Sequence, residues 1–219
     1  MGVCWYEEVC SEYKENCERL CPRYIEMRYL IDHSNLPEKR KTPQNLSPEK
    51  CDLIAFTRLD TIRKDIVNFV NAGKNLYICS DVTGNGKTTW AVKLMLRYFD
   101  QIWDGNGLRQ RALFIHVPTY LLKCKNFSER DYEFEELKKA IYDVDLVVWD
   151  DIASTGMSQY DYSSLLVAIE AREMNGKANI ITGNHTNRDK LADLLGEKLV
   201  SRLWNSQTEI IEFKGGDRR

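Results

Sequence analysis

Residues Leu76 to Trp90, LYICSDVTGNGKTTW, join a short apolar run to a glycine-bearing loop and then to Lys-Thr-Thr at the head of a helix. The apolar run, rich in aromatic and branched side chains, predicts a buried strand. The spacing of Trp90, Ala91, Leu94, Met95 and Tyr98 predicts an amphipathic helix after the loop. Between the two, Thr83, Gly84, Asn85 and Gly86 offer backbone N–H groups to a polyanion, and the helix opening at Lys87 aims its positive end at the same point. In such a cradle Lys87 reaches the β- and γ-phosphates of a nucleotide, the Thr88 hydroxyl serves Mg²⁺, and Thr89 follows on the first helical turn. The usual spacing, G-x-x-x-x-G-K-[ST], has glycine where this chain has Asp81, which tolerates turns but brings a negative charge.

A second stretch, DLVVWDDI from Asp145 to Ile152, supplies acid to this cradle. Val147, Val148 and Trp149 predict a strand buried on both faces, and Asp150 and Asp151 fall at its carboxyl end, the edge where open α/β sheets bind ligands. Asp150 is a candidate to steer the Mg²⁺ and Asp151 to polarise an attacking water. Further on, Ala178 to Thr182 reads as another strand, ending in Gly183-Asn184-His185. The Asn184 amide can reach a γ-phosphate or a lytic water without competing charge, or it can cap the following helix.

Around these motifs the pattern alternates helix and strand. Leu59, Ile62, Ile66, Phe69 and Val70 share one helical face before the first strand; Ala112 to Val117 is a strand closed by Pro118; Tyr162, Leu165, Leu166 and Ile169 mark another helix. Leu191, Leu194, Leu195, Leu199 and Leu203 form the stripe of one last helix, with Arg202 beside it, and Thr208 to Phe213 is a closing strand. Lys214 to Arg219 reads as a frayed tail. The fold class is therefore α/β, with a parallel sheet covered by helices.

The amino-terminal part differs. Residues 1–33 hold Cys4, Cys10, Cys17 and Cys21 among Glu and Tyr, and read as a separate helical partner-binding module. Two readings of the thiols stand side by side: a tetrahedral Zn²⁺ site, or small buried residues of a helical pair packed with Leu20, Met27 and Leu30. Residues 34–50 contain three of the five prolines and the Lys39-Arg40-Lys41 cluster, and read as an extended, solvated linker. Residues 51–219 form the main domain.

Composition excludes several classes. In 219 residues, 43% hydrophobic content can fill a core, and a formal net charge of -2 leaves no global basic field for nucleic acid. No apolar run is long enough to span a bilayer, and the start MGVCWYEEVC lacks the regions of a secretory leader. A cytoplasmic location is expected, with the seven cysteines as reduced thiols or metal ligands rather than disulfides.

Taken together, the loop, the DLVVWDD strand, the ITGNH strand end and the GEKLVSRLW helix resemble the AAA+ ATPases of the DnaC/DnaI helicase-loader family, particularly its short phage-borne members. The resemblance covers about residues 50–214. It implies a P-loop NTPase core of five parallel strands in a three-layer sandwich, and ATP bound with Mg²⁺ between subunits of a homo-oligomer. Its partners would be a hexameric replicative helicase, gripped through the amino-terminal module, and single-stranded DNA. Lys87 and Thr88 match Walker A, Asp150 and Asp151 Walker B, Asn184 sensor 1, and Arg202 the arginine finger. Asp151 stands where many AAA+ proteins have glutamate, which implies slow, partner-stimulated hydrolysis. The stretch after Arg202 is too short for a helical lid and its sensor-2 arginine. Alternatives are a transposition helper resembling IstB, whose partner is a transposase, and a small-molecule P-loop kinase, whose lid arginines have no counterpart here.

Overall fold

The computed structural model describes Lys14, Cys17 and residues 21–41, 44–102, 108–125, 131–153 and 158–218. The five strands are β1 (Asn75–Cys79), β2 (Ala112–His116), β3 (Leu146–Ile152), β4 (Ala178–Gly183) and β5 (Thr208–Glu212). They form one parallel sheet in the order β2-β3-β4-β1-β5. β4 thus lies between β1 and β3, and the ends of these three strands carry the loop, Asn184 and the paired carboxylates.

Alternation along each strand explains the continuous apolar runs. Leu76 and Ile78 of β1 and Leu146 and Val148 of β3 enter one core, while Tyr77, Cys79, Val147 and Trp149 enter another on the opposite face. A strand buried on both faces needs no polar residue in its middle. The first core is completed by α1 (Pro22–Asp32), α2 (Leu53–Lys64), α3 (Ile66–Asn71) and α4 (Lys87–Gln101); the second by α5 (Val117–Lys125), α6 (Tyr132–Asp143), α7 (Gln159–Met174), α8 (Arg188–Leu195) and α9 (Glu197–Leu203). Removing a fully buried side chain such as Leu59 would cost about 2–5 kcal/mol.

Helix boundaries depart from the sequence reading in two places. The stripe from Leu59 to Val70 is split at Asp65 into α2 and α3. The stripe from Leu191 to Leu203 is split at Gly196, whose φ of +78° ends α8 and whose missing Cβ leaves room for the Tyr162 ring. The apolar spacing runs through both breaks, although Gly196 is itself a usual helix-ending residue.

Packing is continuous across the expected boundary at residue 33. Met27, Leu30 and Ile31 of α1 and Leu36 beyond it belong to the same core as α4, and Arg23 forms a buried ion pair with Asp100 of α4. Ser34 O accepts the N–H of Phe114 on edge strand β2 (2.7 Å), and the Asn35 amide returns a bond to Phe114 O (2.8 Å). Residues 34–50 were expected to be solvated linker; those described are held at several points. Cys17 and Cys21 are free thiols, Cys4 and Cys10 lie outside the described residues, and no group of three or more potential metal ligands exists among the described residues. None of the described helices is long and apolar enough to cross a membrane.

Candidate nucleotide site

The loop after β1 is built around Ser80. Its Oγ accepts the N–H of Val82 (3.1 Å) and the side-chain amide of Asn85 (2.6 Å), and turns the chain directly after the strand. Gly84 and Gly86 take φ of +75° and +102°, the left-handed region that glycine enters without penalty. A Cβ on Gly86 would also stand 2.7 Å from Leu46 Cδ1, so any larger residue would have to push the Leu46 side chain aside as well as hold a left-handed backbone. Gly86 then opens α4 with no side-chain cap, leaving the first N–H groups of a 15-residue helix to face the loop. Lys87 is buried, its ammonium donating to Val82 O (2.8 Å) and Asn85 Oδ1 (3.2 Å).

Asp81 is explained by what it touches. Its carboxylate accepts the N–H (3.2 Å) and hydroxyl (2.9 Å) of Thr186, which holds its pKa below the ordinary value. It points to the loop after β4 rather than into the cradle, and its backbone φ is not positive. Glycine is therefore not demanded at this position.

The paired carboxylates stand at the end of β3. Asp150 is only 6% exposed, and hydroxyls of Thr88 and Thr182 both hydrogen-bond its carboxylate, the latter at 2.8 Å. Burial raises its pKa above that of a free aspartate, against the opposing pull of those hydroxyls and of the nearby Arg40 and His116 charges. The next residues leave regular geometry: the ladder to β4 is irregular between Trp149 and Ile152, and Asp151 and Ala153 have φ of +63° and +61°. Left-handed backbone costs about 1–3 kcal/mol at each non-glycine position and persists only where neighbours enforce it. For Asp151 they do so visibly, since its N–H donates to Thr182 Oγ1 (2.9 Å) and its carboxylate accepts from the Asn184 amide (3.0 Å).

These groups surround one cavity of about 400 Å³. Its wall includes Thr83, Gly84, Asn85, Gly86, Lys87, Thr88 and Thr89 from the loop, and Asp151, Thr182 and Asn184 from the neighbouring strands. Asp150 stands directly behind Thr88. Arg202 is elsewhere: on α9, it reaches Glu170 (3.3 Å) and Glu173 (3.4 Å) of α7.

Several wall residues, Gln44 among them, were not assigned to the site by the sequence reading. Thr182 carried a usable signal, a polar side chain directly after the apolar pair Ile180-Ile181 and two positions before Asn184. Arg40 stood out only as part of a basic cluster read as solvated, and Leu46 and Arg218 carried no signal, because segments remote in sequence bring all three to the cavity. The tail, expected to be frayed, is docked: Arg218 N donates to Gly84 O (3.1 Å), and its guanidinium binds Ser47 O (2.7 Å) and the buried carboxylate of Asp52 (2.6 Å).

A glycine-bearing loop after β1, paired carboxylates at the end of β3 and Asn184 just past the strand between them complete the architecture. The fold is that of an AAA+ P-loop domain. Solved structures share it. A DnaC helicase loader superposes on this chain with a TM-score of 0.63 and 22% identity, covering 85% of this chain and 99% of that one. A putative primosome component from Streptococcus pyogenes serotype M3 gives 0.64 and 16%, covering 87% and 98%. The replication initiator DnaA, bound to AMPPCP and single-stranded DNA, gives 0.62 and 16%, with 84% of this chain matched to 53% of that one. No protein-family model and no curated protein matches the sequence.

Proposed function

We propose that this protein is an ATP-switched helicase loader, in which nucleotide occupancy sets how protomers associate and how firmly a replicative helicase is held for delivery onto single-stranded DNA. One observation carries the reading: Asp150 is hydrogen-bonded to Thr88 while Asp151 and Asn184 face the same cavity as Lys87, in a fold shared with helicase loaders. Lys87 and the amides of Thr83 to Gly86 hold the β- and γ-phosphates. Thr88 and Asp150, a hydroxyl and a carboxylate already in contact, are a donor pair suited to Mg²⁺, which would neutralise charge between those phosphates. Asp151 takes the proton of the attacking water, and the Asn184 amide fixes the direction of that carboxylate.

Arg202 serves the site of a neighbouring protomer in this reading. Its two glutamate partners are both on α7, and the side chain is 40% exposed, so a phosphoryl group arriving on an adjacent subunit competes with surface carboxylates rather than with a sealed ion pair. The amino-terminal segment, Cys4 and Cys10 included, is the helicase grip in this reading.

The test is turnover of ATP by the full chain with and without a hexameric replicative helicase and single-stranded DNA. Slow basal hydrolysis that rises when both are added is expected. A rate that responds to nucleosides instead, or to neither addition, would overturn the loader reading.

A further inference from the structure

The three basic residues at 39–41 have different fates. Lys41 is braced against Asp32 (2.9 Å) and Glu38 (2.6 Å), tying the short turn Glu38–Arg40 to the end of α1. Lys39 is exposed to solvent. Arg40 is half-buried and lines the nucleotide cavity, and among the described residues its guanidinium has no hydrogen bond or ion pair. Arg218, the other arginine on that wall, is committed to Asp52 and Ser47. A guanidinium turned into a polar cavity and left with open donors suits an oxyanion, which it can grip with two parallel bonds.

Its position within the cavity narrows the choice of oxyanion. Arg40 is close enough for its charge to act on Asp150, the carboxylate behind Thr88, whereas Leu46 packs against Gly86 and Arg218 holds Gly84. The carboxylate side is where the last phosphate of a nucleotide lies when Lys87 holds the middle of the chain. Of the two carboxylates there, Asp150 is matched by Mg²⁺ in the nucleotide reading, whereas Asp151 would repel the last phosphate.

We propose that Arg40 binds the terminal phosphate of a nucleoside triphosphate in cis, so that the protein separates triphosphate from diphosphate through a residue placed by its amino-terminal segment. The proposal rests on the nucleotide reading of the cavity. It also gives α1 a direct link to the nucleotide state, because Arg40 follows that helix and Lys41 bonds its last residue.

The experiment is equilibrium binding of fluorescent ATP and ADP, each with Mg²⁺, to wild type, Arg40→Ala, Arg40→Lys and Lys87→Ala, with urea unfolding of each variant alongside. Arg40→Ala should lose about tenfold or more in ATP affinity, the scale of one charge-assisted contact, and less than about twofold for ADP. Arg40→Lys should recover part of the loss, since it keeps the charge without the fork. Unfolding midpoints should not move, as the side chain has no protein partner to lose. If wild type binds and Arg40→Ala weakens both nucleotides equally or neither, this proposal is wrong and the site stands. If wild type binds neither nucleotide, or Lys87→Ala leaves binding untouched, the nucleotide reading itself fails and this inference falls with it.

Discussion

The two ends of the sheet solve opposite problems with similar residues. At the amino end a fully buried arginine, Arg172, donates to Ile141 O (2.6 Å), Val144 O (3.0 Å), Ala178 O (2.6 Å) and Asn179 Oδ1 (2.8 Å), and Asn179 in turn holds Trp149 Nε1 (3.0 Å). Its donors are matched by backbone carbonyls of α6, of the connection after it and of β4, and Asn179 extends the link to Trp149 of β3. At the carboxyl end the polar groups are held under strain: Asp151 and Ala153 in left-handed backbone, and Asp150 buried against its preference for charge. Polar groups at one end close the fold, and those at the other stay ready for a ligand.

Four substitutions separate these roles. Arg172→Met should have the largest effect, losing about 3 kcal/mol or more of stability in urea unfolding, because several buried carbonyls lose their donor at once. A loss no larger than that of an ordinary surface change would mean that the amino end is not the lock. Asp151→Asn, at the other end, should cut ATP turnover about 100-fold or more while leaving ATP affinity nearly intact, as removal of a general base does. Arg202→Ala belongs to neither end. It should lower turnover about tenfold, with binding preserved, in assembled protomers only; equal loss of binding and turnover would make it a structural ion pair with Glu170 and Glu173.

Asp150→Asn should give the smallest shift in stability and the most informative one. Burial raises the folded-state pKa of Asp150, so the folded protein takes up this proton at a higher pH than the unfolded chain does. The nucleotide-free protein should therefore gain stability as pH falls through that pKa, and the neutral amide should reproduce the gain at neutral pH as a Tm raised by a few degrees. Binding of ATP with Mg²⁺ should move the other way, weakening with the same protonation and in Asp150→Asn. A Tm that drops in the amide variant would mean that the carboxylate is a structural anchor like those at the far end.

Local pattern carried much of this architecture. The glycine spacing with Lys87, the Asp150-Asp151 pair after an apolar strand and the Asn184 strand end were each visible within a few residues, and the sheet brings them to one edge. Alternation was readable because each strand buries both faces. Hidden from sequence were the residues whose partners lie far along the chain: Leu46 against Gly86, Arg40 and Arg218 on the cavity wall, and Ser34 on Phe114. Segments without a repeat of 2 or 3.6 give no face to read, so the docked tail and the held stretch after α1 looked solvated. Asp81, an apparent defect in the loop, made sense only once Thr186 was beside it.

The contact between Ser34 and Phe114 has a wider bearing. Main-chain and amide bonds from this segment occupy both the N–H and the carbonyl of Phe114 on β2, and at the opposite margin the Arg58 guanidinium occupies Ile210 O of β5 (3.0 Å). Each border of the sheet is thus plugged at its middle by a contact from the amino-terminal third of the chain. A strand added at either border would first have to displace these bonds, which guards both edges of the sheet against ladder-to-ladder pairing.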